Sequence, residues 1–390
     1  MRTPLLMWIV MSMVLCNMTA FRGSKVLITL FSIELGASKI LIGVLVALYS
    51  LFPMLLGLYA GKLTDRLGVR VPVVAGSSAM VAALAVPFLF PALPALYVQA
   101  VGVGAGHVFY NVAVQNLIGG LGGGTERTRN FANFALAMSV GSFLGPLVAG
   151  FAIDHFGHAW SYLAIAVFPL MTIAIMLSAR ALHGVRGSPG KSGKSSASGN
   201  APAGESARPF ELLANRPLRH TLITGAVILT AIDLFYFYMP IYGHSIGLSA
   251  SMIGIVLSVF SAAAFIVRVG IPAIVKRFGE EAVLRVVIYS SAVTYCIMPF
   301  VSHTVLLMGV AFALGLGTGC GQPLSLTLIY GRAPEGRSGE ALGLRMTINN
   351  FTHMVTPLLF GAIGTAFGVA PVFLMNAGML AFGGILTGRK

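Results

Sequence analysis

Residues 36–43 read GASKILIG, and residues 247–254 read GLSASMIG. Gly, Ser, Ile and Gly recur in the two stretches at positions that differ by 211. The same offset of 211 carries Pro146 to Pro357, and it holds for more than a hundred residues without a gap. Matches at one fixed offset over so long a stretch indicate a duplicated unit. The chain is therefore predicted to contain two copies of one structural unit.

Composition places the chain in a membrane. Of its 390 residues, 57% are hydrophobic and 9% are charged, whereas soluble domains carry roughly 25% charged residues. The apolar stretches have about 20 residues or more, which is enough to cross a hydrocarbon core of roughly 30 Å as helices. The alternating ten-residue patterns typical of outer-membrane barrels are absent. The lipid bilayer is thus the first predicted partner.

The apolar stretches predict an all-α membrane protein with twelve transmembrane helices. The repeat maps the first six spans onto the last six, and because six is even the two six-helix bundles form a parallel repeat with a pseudo-twofold axis. A stretch rich in Gly, Ser, Ala and Pro predicts a flexible cytoplasmic linker at 184–209, between bundles at 1–183 and 210–390. The predicted spans are 5–30, 40–61, 71–91, 94–118, 131–153, 159–179, 218–240, 250–272, 282–302, 305–328, 341–364 and 369–387.

The basic residues that give the net charge of +14 are distributed according to the predicted topology. Lys39 is the only Lys or Arg in a predicted outer loop, while Arg22, Lys25 and Arg268 lie inside spans. The remaining basic residues fall at the termini, in the inner loops or at their edges, and Arg345, near the cytoplasmic start of span eleven, is interpreted in the same way. This positive-inside pattern predicts cytoplasmic termini in a bacterial-type inner (plasma) membrane, and it excludes a nucleic-acid partner.

Residues 61–70 read GKLTDRLGVR and connect spans two and three, and residues 141–150 read GSFLGPLVAG within span five. The first motif resembles the signature of the major facilitator superfamily. The second resembles a motif of its antiporters, especially the drug/proton exporters. The resemblance covers the whole chain and implies the superfamily fold, with two bundles that rock to give alternating access. The chain departs from the drug/proton antiporters at residues 97–102, where it lacks their Arg in span four.

The resemblance also implies a cytoplasmic latch. Asp65 is expected to face the positively polarised N-terminus of span eleven, near Gly339. The alternative is a solvated loop acid. The other residues expected in the latch are Gly61, Arg66, Gly68, Arg70 and Arg129, and those of the antiporter-like motif are Gly141, Gly145, Pro146 and Gly150.

Glycines four residues apart predict close helix contacts. Gly57 with Gly61, and Gly141 with Gly145, form small-residue faces of the kind that lets helices approach closely in lipid.

Asp233 is the only one of eleven acids inside a span, since the other ten lie in loops or at span ends. A charge at the centre of a membrane helix costs about 2.5–3.5 kcal/mol on insertion scales, so such a residue indicates a functional site. The offset of 211 makes Arg22 its counterpart. Asp233 and Arg22 are therefore predicted to couple transport to protons and to pair across the central cavity in at least one state. The alternative is a structural ion pair.

Spans one, four, seven and ten line the cavity in the fold that the resemblance implies. Polar residues in the spans are accordingly predicted to face a small-molecule substrate, with interhelical hydrogen bonds as the alternative. The predicted cavity residues are Asn17, Arg22, Lys25, His107, Asn111, Gln115, Asp233, Tyr236, Gln322, Asn350 and His353.

The sequence thus predicts a monomeric proton-coupled secondary transporter, most simply an efflux antiporter for amphipathic, drug-like compounds. The excess of intramembrane cations favours a competing substrate, an anionic metabolite or a siderophore-like chelator moved in either direction. A receptor or scaffold without flux is a further alternative. No Gly-x-x-x-x-Gly-Lys-Ser/Thr loop, zinc-ligand spacing or nucleophile–base cluster is present, so we expect no cofactor, no metal and no enzymatic activity.

Overall fold

The fold is described from a computed structural model of the chain. Residues 3–121, 124–178, 209–334 and 337–388 are described. The predicted linker 184–209 lies outside these residues except for its last position.

Long helices account for nearly all of the described chain. The first half forms α1 (Thr3–Glu34), α2 (Lys39–Leu67), α3 (Arg70–Leu89), α4 (Leu93–Gly120) and α5 (Gly124–Ser178). The second half forms α6 (Arg216–Ser245), α7 (Ala250–Phe278), α8 (Glu280–Ile297), α9 (Thr304–Arg332), α10 (Ser338–Phe367) and α11 (Val369–Gly388). The backbone of α5 bends at Gly157, which divides this 55-residue helix in two. The described residues therefore contain twelve long helical segments, as the sequence predicts.

Nine segments of the described chain are long and apolar enough to cross a membrane, with the bent α5 counted as one. The helices α4 and α10 are not among them. These two carry many of the polar residues predicted to line the cavity, among them His107 and Asn111 on α4 and Asn350 and His353 on α10. Their lower hydropathy fits helices that turn a polar face away from lipid.

The duplication is visible in the backbone. Glycines with positive φ in the described chain form three pairs, Gly36 with Gly247, Gly68 with Gly279, and Gly157 with Gly368, and each pair is separated by 211 positions. Their φ angles lie between 74° and 87°, a region that side chains with a Cβ rarely adopt. Each glycine lies at a helix end or bend, so the two halves turn at corresponding places.

By contacts the chain divides into two compact units, Met1–Ser192 with Gly243–Ser258, and Gly193–Tyr242 with Val259–Lys390. The first unit therefore includes the last residues of α6 and the first turns of α7. The second contains most of α6, the rest of α7, and α8 to α11.

Close packing in the first unit involves one of the two predicted glycine pairs. A Cβ on Gly145 would lie 2.7 Å from Cβ of Arg22, and one on Gly141 would lie 2.7 Å from Cβ of Met18, so α5 packs tightly on α1. The other pair makes no such contact among the described residues, because a Cβ on Gly57 or Gly61 would meet none of their atoms within 4 Å. Small residues permit close approach, but a neighbouring helix must also face them.

Candidate transport site

An acid–imidazole pair joins two helices of the second unit. Nδ1 of His353 on α10 lies 2.5 Å from Oδ2 of Asp233 on α6. The side chain of Asp233 is 20% exposed and that of His353 is 38% exposed. Both residues lie near the middle of their helices. The sequence singled out both residues but did not predict that they bind each other.

Neighbouring hydrogen bonds fix this part of α6. The hydroxyl of Tyr295 on α8 donates to the carbonyl of Ala231, two residues before Asp233. The hydroxyls of Tyr236 on α6 and Ser261 on α7 lie 2.8 Å apart and form a second link. The backbone that carries Asp233 is therefore held from two neighbouring helices. Arg22 belongs to the first unit, and its predicted pairing with Asp233 stays a prediction.

His107 is the centre of a polar cluster in the first unit. Its Nδ1 lies 2.9 Å from Oδ1 of Asn17, and the Asn17 amide donates to the Sδ of Met80 at 3.4 Å. The imidazole stacks on the ring of Phe21, with 3.9 Å between centroids and 15° between planes. The amide and the aromatic ring together fix the orientation of the imidazole.

Lys25 lies beside this cluster. Its Nζ is 4.9 Å from the ring centroid of Phe21 and 5.5 Å from that of Tyr49, distances typical of cation–π contacts. The Tyr49 hydroxyl accepts a hydrogen bond from Gln99 and donates to the carbonyl of Ser24 at 3.3 Å. The structure thus brings together Asn17, Lys25 and His107, which the sequence had selected separately. Gln99 and Tyr49, which it had not selected, support them.

Two further predicted residues on α4 contact each other. The amide of Gln115 donates to Oδ1 of Asn111 at 3.1 Å, one helical turn away. In the second unit, Asn350 is exposed on α10. These residues are therefore surface-accessible polar groups rather than members of the His107 cluster.

A glutamine–arginine pair joins three helices of the second unit. Nη2 of Arg345 on α10 donates to Oε1 of Gln322 on α9 at 2.8 Å. The Gln322 amide in turn donates to the carbonyl of Gly225 on α6 at 3.3 Å. The sequence selected Gln322 for the cavity but interpreted Arg345 as a topology charge.

A neighbouring arginine compensates for a proline. Pro323 lacks an N–H group, so the carbonyl four residues earlier, at Gly319, loses its helical hydrogen bond. Nε of Arg268 on α7 donates to that carbonyl at 3.3 Å. This intramembrane arginine therefore has a structural role. The sequence signal for that role is Pro323, which leaves the carbonyl of Gly319, four residues earlier, without its helical donor.

The latch motif lies at the end of α2. Oδ1 of Asp65 accepts a hydrogen bond from the amide of Asn116 on α4 at 3.1 Å, within the first unit. Gly68, with φ of 75°, ends α2, and Arg70 begins α3. Arg66 is exposed. Asn116 was missed by the sequence analysis, because its partner lies 51 residues away on another helix.

Asp154 stabilises the start of α7 within the first unit. Its carboxylate accepts hydrogen bonds from the backbone N–H of Ala250 at 3.1 Å and of Ser251 at 2.8 Å. Burial favours the neutral acid and is the largest single influence on its pKa. The hydrogen bonds from Ser251, Ser249 and Ala250 outweigh it, and the pKa of Asp154 is lowered. Asp154 therefore satisfies two N–H groups that a helix start leaves without intrahelical partners.

A cavity of about 670 Å³ lies between α1 and α5 in the first unit. Apolar side chains such as Met11 and Leu15 line one part of it, and Glu126, Arg129 and Asn133 line another. This volume falls in the range of small-molecule sites. Of the residues that the sequence selected for the cavity and the latch, Arg129 alone is among its described lining residues, so this cavity and the predicted polar site are different places.

A family model described as Major Facilitator Superfamily matches residues 10–350 and 287–389. The chain belongs to the Major Facilitator Superfamily. It is therefore a membrane transporter and not an enzyme, and the resemblance of residues 61–70 and 141–150 to superfamily motifs is confirmed at the level of the family.

Relatives of this superfamily chain include drug-resistance proteins. It is 26% identical over 344 residues to the class C tetracycline resistance protein of Escherichia coli, covering 83% of this chain and 80% of the relative. It is 24% identical over 268 residues to the multidrug resistance protein MdtG of Klebsiella pneumoniae (strain 342), covering 63% of this chain and 58% of the relative.

Solved superfamily structures share the fold. The nucleoside transporter NupG matches with a TM-score of 0.78 and 12% identity, over 100% of both chains. The peptide transporter POT matches with a TM-score of 0.79 and 15% identity, over 98% of this chain and 93% of the other. At these identities the likeness establishes the architecture alone.

Proposed function

We propose that this chain is a proton-coupled secondary transporter that exports amphipathic organic compounds by alternating access. It works as a monomer in a bacterial-type inner membrane, with both termini in the cytoplasm and bundles at 1–183 and 210–390 joined by the linker 184–209. The observation that carries the proposal is the hydrogen-bonded pair of Asp233 and His353 between two membrane helices.

The pair has the chemistry of a proton carrier. When Nδ1 of His353 donates to the carboxylate of Asp233, Nε2 is left as a proton acceptor. Uptake of one proton converts neutral imidazole and carboxylate into an imidazolium–carboxylate pair, in which each charge stabilises the other. Loss of that proton on the opposite side of the membrane completes one coupling step. Arg22, the repeat counterpart of Asp233, stays the predicted second coupling residue.

Two observations support an amphipathic, exported substrate. The cavity between α1 and α5 combines an apolar part with polar and charged side chains at Glu126, Arg129 and Asn133. Methionines such as Met11 adapt to ligands of varied shape. The relatives are described as a tetracycline resistance protein and a multidrug resistance protein.

The cytoplasmic latch is proposed to work with a second partner. Asp65 is expected to alternate between the amide of Asn116 and the N-terminus of span eleven. The hydrogen bond from Asn116 gives the carboxylate a partner when the latch is open. Arg66, Arg70 and Arg129 are the expected basic members of the latch.

Transport in liposomes tests the proposal. Purified protein is reconstituted with an imposed pH gradient and a pH-sensitive dye inside, and a panel of aromatic compounds that begins with tetracycline is assayed for flux and proton movement. We expect uphill flux with counter-movement of protons, and at least about a tenfold loss of uphill flux in Asp233→Asn. Glu280→Gln makes the same chemical change at a partly exposed acid at the start of α8 and should retain coupling. Full coupling in Asp233→Asn would remove Asp233 as the proton carrier.

The competing functions give other outcomes in the same assay. An anionic metabolite or chelator is the second candidate, which the positions of Lys25 and Arg345 favour. Acids in the panel would then be moved in preference to neutral compounds. A receptor or scaffold would show ligand binding without flux under any gradient.

A further inference from the structure

Arg345 lies inside the membrane-spanning part of the second unit. It is the eighth residue of α10, so about 10 Å of helix separates it from the cytoplasmic end. Its partner Gln322 lies ten residues before Arg332, which is about 15 Å from the cytoplasmic end of α9. A long basic side chain whose only role is topology extends toward the aqueous surface. The Arg345 side chain instead reaches the deeper Gln322.

The orientation of the guanidinium is fixed by neutral groups. Gln322 uses its amide N–H on the carbonyl of Gly225, which leaves its Oε1 facing Arg345. Nη2 of Arg345 also lies 3.5 Å from the backbone carbonyl of Gln322. In the described part of the chain these two oxygens are the hydrogen-bond partners of the guanidinium, and no carboxylate forms an ion pair with it. Its positive charge is therefore held in place without being neutralised.

The intramembrane acid Asp233, on α6, pairs with a different residue of α10. His353, which binds Asp233, lies eight residues beyond Arg345, about 12 Å further along α10. Asn349 lies between them, one turn from each. α10 thus carries a fixed cation, an amide and the imidazole of the acid–imidazole pair in successive turns.

We propose that Arg345 and Gln322 form the anion-binding part of the substrate site, and that the substrate is an amphipathic organic acid. A guanidinium donates charge-assisted hydrogen bonds to a carboxylate, and these are stronger than hydrogen bonds between neutral groups. Nε and Nη1 of Arg345, which lie on different edges of the guanidinium, have no protein partner in the described residues and can each donate to a ligand oxygen. Leu326, exposed one turn from Gln322 on α9, is the apolar surface for the rest of the ligand. This inference rests on the proposed transport function and names its substrate class.

Equilibrium binding to the purified protein tests the inference without requiring transport. Calorimetric titration at pH 7 compares 2-naphthoate with its neutral isostere 2-naphthamide. In the wild type, 2-naphthoate should bind about tenfold or more tightly, since a charge-assisted hydrogen bond is stronger than a neutral one by about this factor. Arg345→Gln should bind both compounds equally. Arg345→Lys should retain part of the preference, because it keeps the charge and loses the fixed orientation of the guanidinium donors.

The control variant is Arg285→Gln, which removes one positive charge from an exposed position on α8 and should keep the full preference. Equal binding of the two compounds to the wild type, or a preserved preference in Arg345→Gln, would overturn the inference. If Arg345→Gln does not fold, Gln322→Leu serves in its place, since loss of the orienting amide should reduce the preference, and an unchanged preference counts against the site. The preference is measured by binding to purified protein and proton coupling by flux in liposomes, so failure of proton coupling and failure of this site are distinguishable.

Discussion

His353 and Asp233 are 120 residues apart in the sequence, yet Nδ1 of one lies 2.5 Å from Oδ2 of the other. The contact joins α10 to α6, two helices of the same unit. It places an ionisable nitrogen next to the only acid inside the predicted spans. In the proposed mechanism the two residues take up the proton together, which makes the proposal accessible to a double-mutant cycle.

We expect Asp233→Asn, His353→Gln and the double variant to lose coupling to a similar extent. Each single change removes one half of the pair, so the second change has little left to remove. The quantity to measure is the number of protons moved per substrate molecule in liposomes, with Glu280→Gln as control. Additive losses in the double variant would show that the residues act separately.

Asp154→Asn should destabilise the protein by about 1 kcal/mol at pH 7, because an amide keeps only one of the two acceptor oxygens and accepts a weaker hydrogen bond than a carboxylate does. The pKa of Asp154 is lowered in the fold, chiefly by hydrogen bonds from the start of α7 that outweigh the opposing effect of burial. Its stabilisation is therefore complete above the ordinary pKa of an aspartate and is lost as the pH falls through the lowered pKa. Thermal unfolding in detergent from pH 7 to pH 3 should show the two proteins converging. A constant difference across that range would contradict the role of the carboxylate.

Gly145→Ala should lower stability by about 1–3 kcal/mol, because the new Cβ would lie 2.7 Å from Cβ of Arg22 and 2.8 Å from the backbone N of Gly23. Gly57→Ala is the matched control, since nothing lies within 4 Å of its Cβ position. Removing a helical glycine there should be neutral or stabilising by about 0.5–1 kcal/mol. Thermal unfolding of the two variants in the same detergent compares them directly. Equal stabilities would mean that α1 and α5 are not in tight contact at Gly145.

Arg268→Gln should cost about 1 kcal/mol in the wild type, because it removes the donor to the Gly319 carbonyl. In a Pro323→Ala background the cost should be smaller, since an alanine at this position restores the helical N–H for that carbonyl. Unfolding of the four proteins of this cycle measures the coupling. An identical cost in both backgrounds would exclude the proposed compensation.

The helices and their duplication were predictable because their signals are local. An apolar stretch of sufficient length determines a span, and a glycine at each helix end marks where the chain turns. The twelve helical segments and the correspondence of Gly68 with Gly279 follow from such signals. Gly57 shows the limit, since its spacing to Gly61 indicates a possible contact but not the presence of a neighbour.

The partners within the site were not predictable in the same way. Membrane helices that are apolar all round have no stripe that reveals which face points inward. Asp233 was identified by its charge alone, but its contact with His353 depends on how α6 and α10 are rotated. The same applies to Asp65 with Asn116 and to Gln322 with Arg345. The contact of Arg268 is different, because the position of Pro323 in the sequence identifies the carbonyl of Gly319 as one that lacks its helical hydrogen bond.

The three pairs of positive-φ glycines allow each turn in one half of the protein to be compared with its counterpart in the other half. Gly36, Gly68 and Gly157 should respond to substitution as Gly247, Gly279 and Gly368 do, because each pair meets the same backbone requirement. An alanine at any of these positions should cost about 1–3 kcal/mol, because a residue with a Cβ is strained at these φ angles. In a scan of variants selected for transport rather than for folding, the two alanine variants of a pair should have similar transport activity. A pair whose variants differ in transport would identify a turn that only one half of the protein uses during the transport cycle.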